Sequence, residues 1–195
     1  MTMTGTLDRR AVTAKLLEDR GDLLVVTGLG SPSYDAMAAG DHDLNYYLWA
    51  AMGSAATVGF GLAMTQRDKP VLVLTGDGEM LMGLGALASI GQKLPPNLTI
   101  AVLDNGHYGE TGMQTSHTGR DIELARFAEA ANFPWTRVVT DMDGVSDLRT
   151  RMQSQTGTSF AAIKIAAENL PRALPPRDGV HVKNRFRAAL GLSTI

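Results

Sequence analysis

The sequence predicts an α/β protein, a parallel sheet covered by helices on both faces. Two observations carry that prediction. Five short runs of aliphatic and β-branched residues lack the in-out alternation of a half-exposed strand, the pattern of strands buried on both faces. Between them lie stretches with apolar residues at helical spacing, bordered by Gly, Pro or Asp. In chain order, a helix over about 7–20, which contains "KLLEDR", leads to a strand, "DLLVVTG" (22–28). A helix over about 52–66 then precedes the strand "PVLVLTG" (70–76), and a helix over about 80–93 precedes "NLTIAVLDN" (97–105). Helices over about 121–132 and 144–154 flank "WTRVVT" (135–140), and "SFAAIKIAA" (159–167) closes the series. Alternation along the whole length gives one domain over 1–170. Right-handed crossovers place every strand's C-terminal end on one rim, where a ligand sits. The remainder, 171–195, is a Pro-rich and then basic tail that reads as a solvated helix packed on the outside.

Composition narrows the function. With 195 residues, 44% of them hydrophobic, the chain is long enough to bury one core. A net charge of -2 gives no reason to expect nucleic acid as a partner. The absence of cysteine excludes a disulfide scaffold, a thiolate zinc site, an iron–sulfur cluster and a cysteine nucleophile. The opening "MTMTGTLDRR" lacks the apolar core of a signal peptide. The longest mostly apolar stretch, 46–64, is broken by glycines, Ser54 and Thr57, so no membrane segment is expected and the location is read as cytoplasmic.

The stretch "VLVLTGDGEM" (71–80) puts Asp77 between two glycines at the mouth of a buried strand, with Met80 opening a helix. Backbone N–H groups and a helix N-terminus on the ligand rim attract anions. A dinucleotide loop fits badly, because G-x-G-x-x-G needs a third glycine where Leu81 stands, and "GLGSPS" (28–33) fails likewise. An aspartate pointing into a diphosphate site repels the ligand unless a divalent cation lies between them. A metal-bridged diphosphate is therefore expected. The strand ending in "VLDNGHYG" (102–109) puts Asn105 on the same rim. A carboxylate, an amide oxygen and a backbone carbonyl, with two diphosphate oxygens and a water, complete the octahedron that Mg2+ demands. Gly76, Gly78, Gly106 and Gly109 let the backbone approach the phosphates.

GDG, twenty-five residues, then "DNG" resembles the signature of thiamine diphosphate (ThDP) enzymes. The resemblance spans about residues 20–167 and implies the ThDP-binding fold, with 1–170 as the pyrophosphate-binding domain. It implies Mg2+ held by Asp77, Asn105 and the carbonyl of His107, and a cofactor bed that also takes in Gly76, Gly78, Glu79, Tyr108 and Gly109. "WAAMGSAATVGFGLA" (49–63) is similar to the family's segment ahead of GDG, where it implies that Met52 is the wedge bending the cofactor and that the carbonyl of Ala50 receives its 4'-amino group. On its own, without the neighbouring motif, Met52 reads as a plain core methionine. Asp104 stands where a first Asn is frequent. Glu79 follows GDG where small residues are common, so its charge must point away from the diphosphate.

The activating glutamate of the family lies on a pyrimidine-binding domain for which this chain is too short. The resemblance therefore implies a heteromer, α2β2 or larger, with a pyrimidine-binding α subunit. Tyr46, Tyr47, Leu48 and Trp49 are expected at that interface. The segment "HYGETGMQTSHTG" (107–119) resembles the β subunits of sulfopyruvate decarboxylase and the related phosphonopyruvate decarboxylase, which implies a small-molecule 2-oxoacid substrate with an anionic group at C3. His107 and His117 are the candidate proton donors; Glu110 and Gln114 are candidate substrate contacts. Two alternatives stay open, a carboligase component resembling acetohydroxyacid synthase and a non-enzymatic nucleotide-binding module with a Rossmann-like sheet. A ferredoxin-linked oxidoreductase subunit is disfavoured by the missing cysteines.

Overall fold

In the computed structural model, residues 5–194 are described. They form α1 (Arg9–Leu17), β1 (Leu24–Thr27), α2 (Ser31–Ala38), β2 (Asn45–Tyr47), α3 (Ala55–Thr65), β3 (Val71–Gly76), α4 (Asp77–Met82), α5 (Ala86–Lys93) and β4 (Leu98–Asp104). The chain continues through β5 (His107–Tyr108), β6 (Gln114–Thr115), α6 (Leu124–Ala130), β7 (Trp135–Val139), α7 (Met142–Ser154), β8 (Ser159–Lys164) and α8 (Gly179–Ala189). Six strands make one parallel sheet in the order β2-β1-β3-β4-β8-β7, and β5 and β6 pair antiparallel beside it.

The strands read without alternation because both faces are covered. Along β3, Val71 and Val73 enter one core with Ile90 and Leu124, while Leu72 and Leu74 enter the other with Leu16 and Leu148. The chain leaves β1 towards β2 on one side and β3 on the other, so the topological switch lies between β1 and β3, where open α/β sheets bind ligands. The expected adjacency of the strands carrying Asp77 and Asn105 holds, with Gly76 opposite Leu103.

The structure departs from the sequence reading in three places. The single helix expected over 80–93 is two, α4 and α5, and the helix begins at Asp77 rather than Met80. The break falls at Gly83, where a Cβ would sit 2.0 Å from the carbonyl oxygen of Gly53, so the chain must turn to let two backbones meet. Secondly, α2 and β2 were not expected; both are short and follow glycine-rich or polar loops. Thirdly, Tyr46–Trp49 are not left for a partner. Tyr47 is buried, Tyr46 meets the ring of Phe186 edge-on at 5.4 Å, and the Trp49 indole donates to the carbonyl of Pro176 at 2.8 Å. The chain's own C-terminal segment covers them, with α8 capped by Asp178 and burying Val182 and Phe186. Among the described residues no helix is long and apolar enough to cross a membrane.

Candidate cofactor and metal site

Asp77 is the first residue of α4 and follows β3 directly, so the sheet delivers it to the rim and the helix start fixes it there. It is 2% exposed. Its Oδ2 accepts from the hydroxyls of Ser116 at 2.5 Å and Thr118 at 2.9 Å. Among the described residues no lysine or arginine pairs with it. Burial pushes its carboxyl above the ordinary carboxylate range, against the two hydroxyls and helped by the negative charge of Asp104.

Thr118 Oγ1 lies 2.7 Å from Asp104 Oδ1 as well, yet one hydroxyl has one proton and can serve only one carboxylate at a time. Asp104 has other partners, the ammonium of Lys164 at 2.5 Å and the N–H of Gly106 at 3.1 Å. Of these two acids, Asp77 is the one left without a counter-cation, the environment a divalent ion relieves. Asn105 follows at the loop after β4. Its Oδ1 accepts from the His107 N–H at 2.9 Å and keeps a second lone pair. A carboxylate and an amide oxygen side by side form a hard-oxygen set that suits Mg2+. Among the described residues no three His, Cys, Asp or Glu side chains gather as a metal cluster, so such an ion would need oxygens from the diphosphate to fill its shell.

A cleft of about 270 Å3 opens over these groups. Met52, Gly76, Asp77, Gly78 and Glu79 line it. His107, Tyr108, Gly109, Glu110 and Asn105 line it from the β4–β5 side. Gly78 is required, because a Cβ there would stand 2.7 Å from Cδ1 of the Tyr108 ring. Met52 is 49% exposed and its neighbour on the lip, Met82, 61%, so Met52 is no core methionine. The loop bearing it is held in place by backbone: Gly53, at φ +79°, packs against Met82 and Gly83, and Ala50 adopts φ +57°, a region that strains a residue with a Cβ.

Other expected residues are placed differently. Ala50 is exposed and outside the cleft lining. Glu79 lines the cleft, but its Oε1 accepts from the Ala55 N–H at 3.1 Å and its Oε2 from the Thr75 hydroxyl, so the carboxylate caps α3, whose own N-cap Ser54 makes no side-chain bond. Gln114 and His117 lie outside the lining. The amide of Gln114 closes a ring with Thr111, accepting at 3.0 Å and donating at 2.9 Å, while His117 Nδ1 meets the Tyr108 hydroxyl at 3.0 Å. His107 folds its Nδ1 onto the carbonyl of Asn105 at 2.8 Å. A carbonyl only accepts, so Nδ1 carries the proton and Nε2 is the atom free to exchange one. The Glu110 carboxylate pairs with Arg172 at 3.0 Å.

The sequence reading missed Ser116, Thr118 and Lys164, and it gave Asp104 no partner. An Asp and a Lys at the ends of two strands signal a pair only once β4 and β8 are known to be neighbours.

The model for the thiamine pyrophosphate enzyme, C-terminal TPP-binding domain, matches residues 29–166. The chain belongs to this family. It is 30% identical to the sulfopyruvate decarboxylase subunit beta of Methanococcus maripaludis over 94% of this chain and 98% of that one. It is 34% identical to the phosphonopyruvate decarboxylase of Streptomyces viridochromogenes over 91% of this chain, and it spans about half the length of such longer relatives, 45% in this case. Among solved structures, benzoylformate decarboxylase from Polynucleobacter necessarius superposes with a TM-score of 0.68 at 20% identity, over 85% of this chain and 34% of that one, a likeness of fold. The buried acid, the amide and the close-packed glycines of the cleft fit the diphosphate end of thiamine diphosphate.

Proposed function

We propose that the chain is the pyrophosphate-binding β subunit of a thiamine diphosphate-dependent 2-oxoacid decarboxylase. Its substrate is a pyruvate with an anionic group at C3, such as 3-sulfopyruvate or phosphonopyruvate. It works in a heteromer, α2β2 or larger, whose α subunit brings the pyrimidine-binding surface and the activating glutamate. The observation that carries the reading is Asp77: a buried carboxylate with hydroxyl donors and no counter-cation, next to Asn105, on the floor of a cleft whose opposite lip is apolar.

Each residue then has a task. Asp77, Asn105 and the carbonyl of His107 hold Mg2+, and Ser116 and Thr118 aim the Asp77 carboxylate at it. Gly76, Gly78 and Gly109 give the diphosphate room beside the backbone. When bound, thiamine diphosphate supplies the electron sink that decarboxylation of a 2-oxoacid needs. Met52 would support the cofactor from the lip, and Ala50, exposed and outside the cleft lining, would contribute its carbonyl. His107 holds or releases a proton at Nε2, Gln114 and His117 stand at the outer edge beyond the cleft lining, and Glu110 is paired with Arg172. The names of the relatives support the substrate class, and the exposed Met52 and Met82 support a covering partner.

The test is an assay of CO2 release from 3-sulfopyruvate, phosphonopyruvate and pyruvate with ThDP and Mg2+, by this chain alone and with a pyrimidine-binding chain added. Turnover of an anionic substrate only in the mixture is expected. Turnover by the isolated chain, or carboligation of pyruvate as the main reaction, overturns the proposal.

A further inference from the structure

Beyond the metal end of the cleft lies an arginine that the proposed chemistry leaves unused. Arg9, in the first turn of α1, is 5% exposed, and its Nε and Nη1 find no hydrogen-bond acceptor. It forms part of the wall of the cofactor cleft and of an adjoining polar pocket that also includes Ser31, Tyr34, Gly109 and Arg172. Met52 and Met82 line the cleft but not this pocket, so Arg9 stands at the end of the cleft away from the methionine lip.

A buried guanidinium with unused donors is costly unless something answers it. Asp35 answers it in part, at 3.3 Å from Nη1. That same carboxylate is shared with Arg10, whose Nε is 3.6 Å away, and neither Asp35 oxygen receives a hydrogen bond. One carboxylate is thus shared by two guanidiniums with Asp8 nearby, and Glu110, which also lines this pocket, is paired with Arg172, so the unused Nε and Nη1 donors of Arg9 are what this wall offers an anion. The second feature at this place is the start of α2. Its N-cap, Gly30 at φ +85°, offers no side-chain cap, Pro32 has no N–H, and the Ser33 N–H donates to the Gly30 carbonyl at 3.0 Å, so the Ser31 N–H and hydroxyl are what this helix start offers the same wall. A buried arginine with unsatisfied donors, beside the N–H and hydroxyl of Ser31 on one wall, makes an anion site.

Taking the cofactor reading as its basis, we propose that Arg9, with Ser31, binds the terminal phosphate of the diphosphate. Charge supports that ligand over the C3 anion of the substrate. The terminal phosphate carries close to two negative charges at neutral pH. Mg2+, half offset by Asp77, brings a net single positive charge, and a further cation is needed. The reacting end of the cofactor belongs by the methionine lip, whereas Arg9 is at the opposite end.

Calorimetry on the full chain with Mg2+ and inorganic diphosphate, thiamine diphosphate or thiamine monophosphate tests the assignment. Three variants are compared with wild type: Asp77→Ala, Asp35→Asn, and Arg9→Met combined with Asp35→Asn, which removes both halves of the buried pair. The combined variant is expected to lose about 10- to 100-fold in affinity for diphosphate and thiamine diphosphate, the range of a charge-assisted hydrogen bond, with thiamine monophosphate changed less than about threefold. Asp35→Asn alone keeps Arg9 and is expected to bind diphosphate at least as tightly as wild type. An equal loss in Asp35→Asn, or wild-type diphosphate affinity in a folded combined variant, makes Arg9 a structural partner of Asp35 and overturns the proposal. So does a rise in KM for the oxoacid with cofactor affinity unchanged, which assigns Arg9 to the substrate. Failure of the underlying cofactor reading looks different: wild type then binds no Mg2+-diphosphate, or Asp77→Ala binds it undiminished.

Discussion

Asp77 at the floor of the cleft and Asp104 behind it are each 2% exposed and are held by hydroxyl, amide and ammonium donors, whereas at the lip Met52 and Met82 leave 49% and 61% of their surface open. Both ends rest on rigid backbone. At the floor, Gly78 admits the Tyr108 ring; at the lip, Gly53 and Gly83 press backbone on backbone. What differs is the side-chain finish: polar groups are satisfied or poised for a cation at one end, and apolar groups are fixed in place but uncovered at the other. Uncovered methionines on a rigid loop are the kind of surface a second apolar surface completes.

The largest effect expected from breaking this contrast comes from the floor. Asp77→Ala should abolish Mg2+-dependent thiamine diphosphate binding, a loss of more than about 100-fold by calorimetry, with the apo melting temperature close to wild type. Removing the acid frees the Thr118 proton for Asp104, so the fold loses little. Retained affinity would mean that the floor is not a cation site. Thr118→Val, which keeps the shape and removes the shared hydroxyl, should weaken Mg2+-dependent binding by about 10- to 100-fold, as loss of an orienting partner of a metal ligand does.

A smaller effect concerns the acid behind Arg9. Burial pushes the Asp35 carboxyl up to about 6, outweighing the pull of Arg9 and Arg10. With the folded value raised above the unfolded one, its stabilising contribution is complete below about pH 4 and is lost as pH rises through 6. Urea unfolding should therefore show wild type losing on the order of 2 kcal/mol between pH 4 and 7 relative to Asp35→Asn, whose stability is flatter across that window. Parallel curves would show that Asp35 is not titrating in the fold. The smallest effect on stability belongs to the lip: Met52→Ala should change apo stability by less than about 0.5 kcal/mol, as exposed positions do, while turnover of the assembled enzyme falls. A fall of several kcal/mol in apo stability would place Met52 in the core after all.

How much of this was legible follows from distance along the chain. Asp77 and Asn105 were readable because each sits in a short motif at a strand end, where glycine spacing and ligand chemistry are local, and because their strands are neighbours. The groups that complete the floor are remote. Ser116 and Thr118 lie 39 and 41 residues from Asp77, and Lys164 lies 60 from Asp104, so only the sheet order brings them together. The role of Glu79 at the start of α3 depends on a helix end 24 residues earlier. The run Tyr46–Trp49 reads equally as a surface for a partner or as a bed for the chain's own helix, and the face of α8 that carries Phe186 decides for the bed.

The contrast between floor and lip is tested most directly by hydrogen exchange on the full chain, alone, with Mg2+ and thiamine diphosphate, and with the pyrimidine-binding partner added. The account predicts that 74–82 and 102–118 gain protection from the cofactor in the isolated chain, while 48–54 is protected further only when the partner is present. Full protection of 48–54 in the isolated chain with cofactor would contradict it, because the lip would then be complete without a second chain.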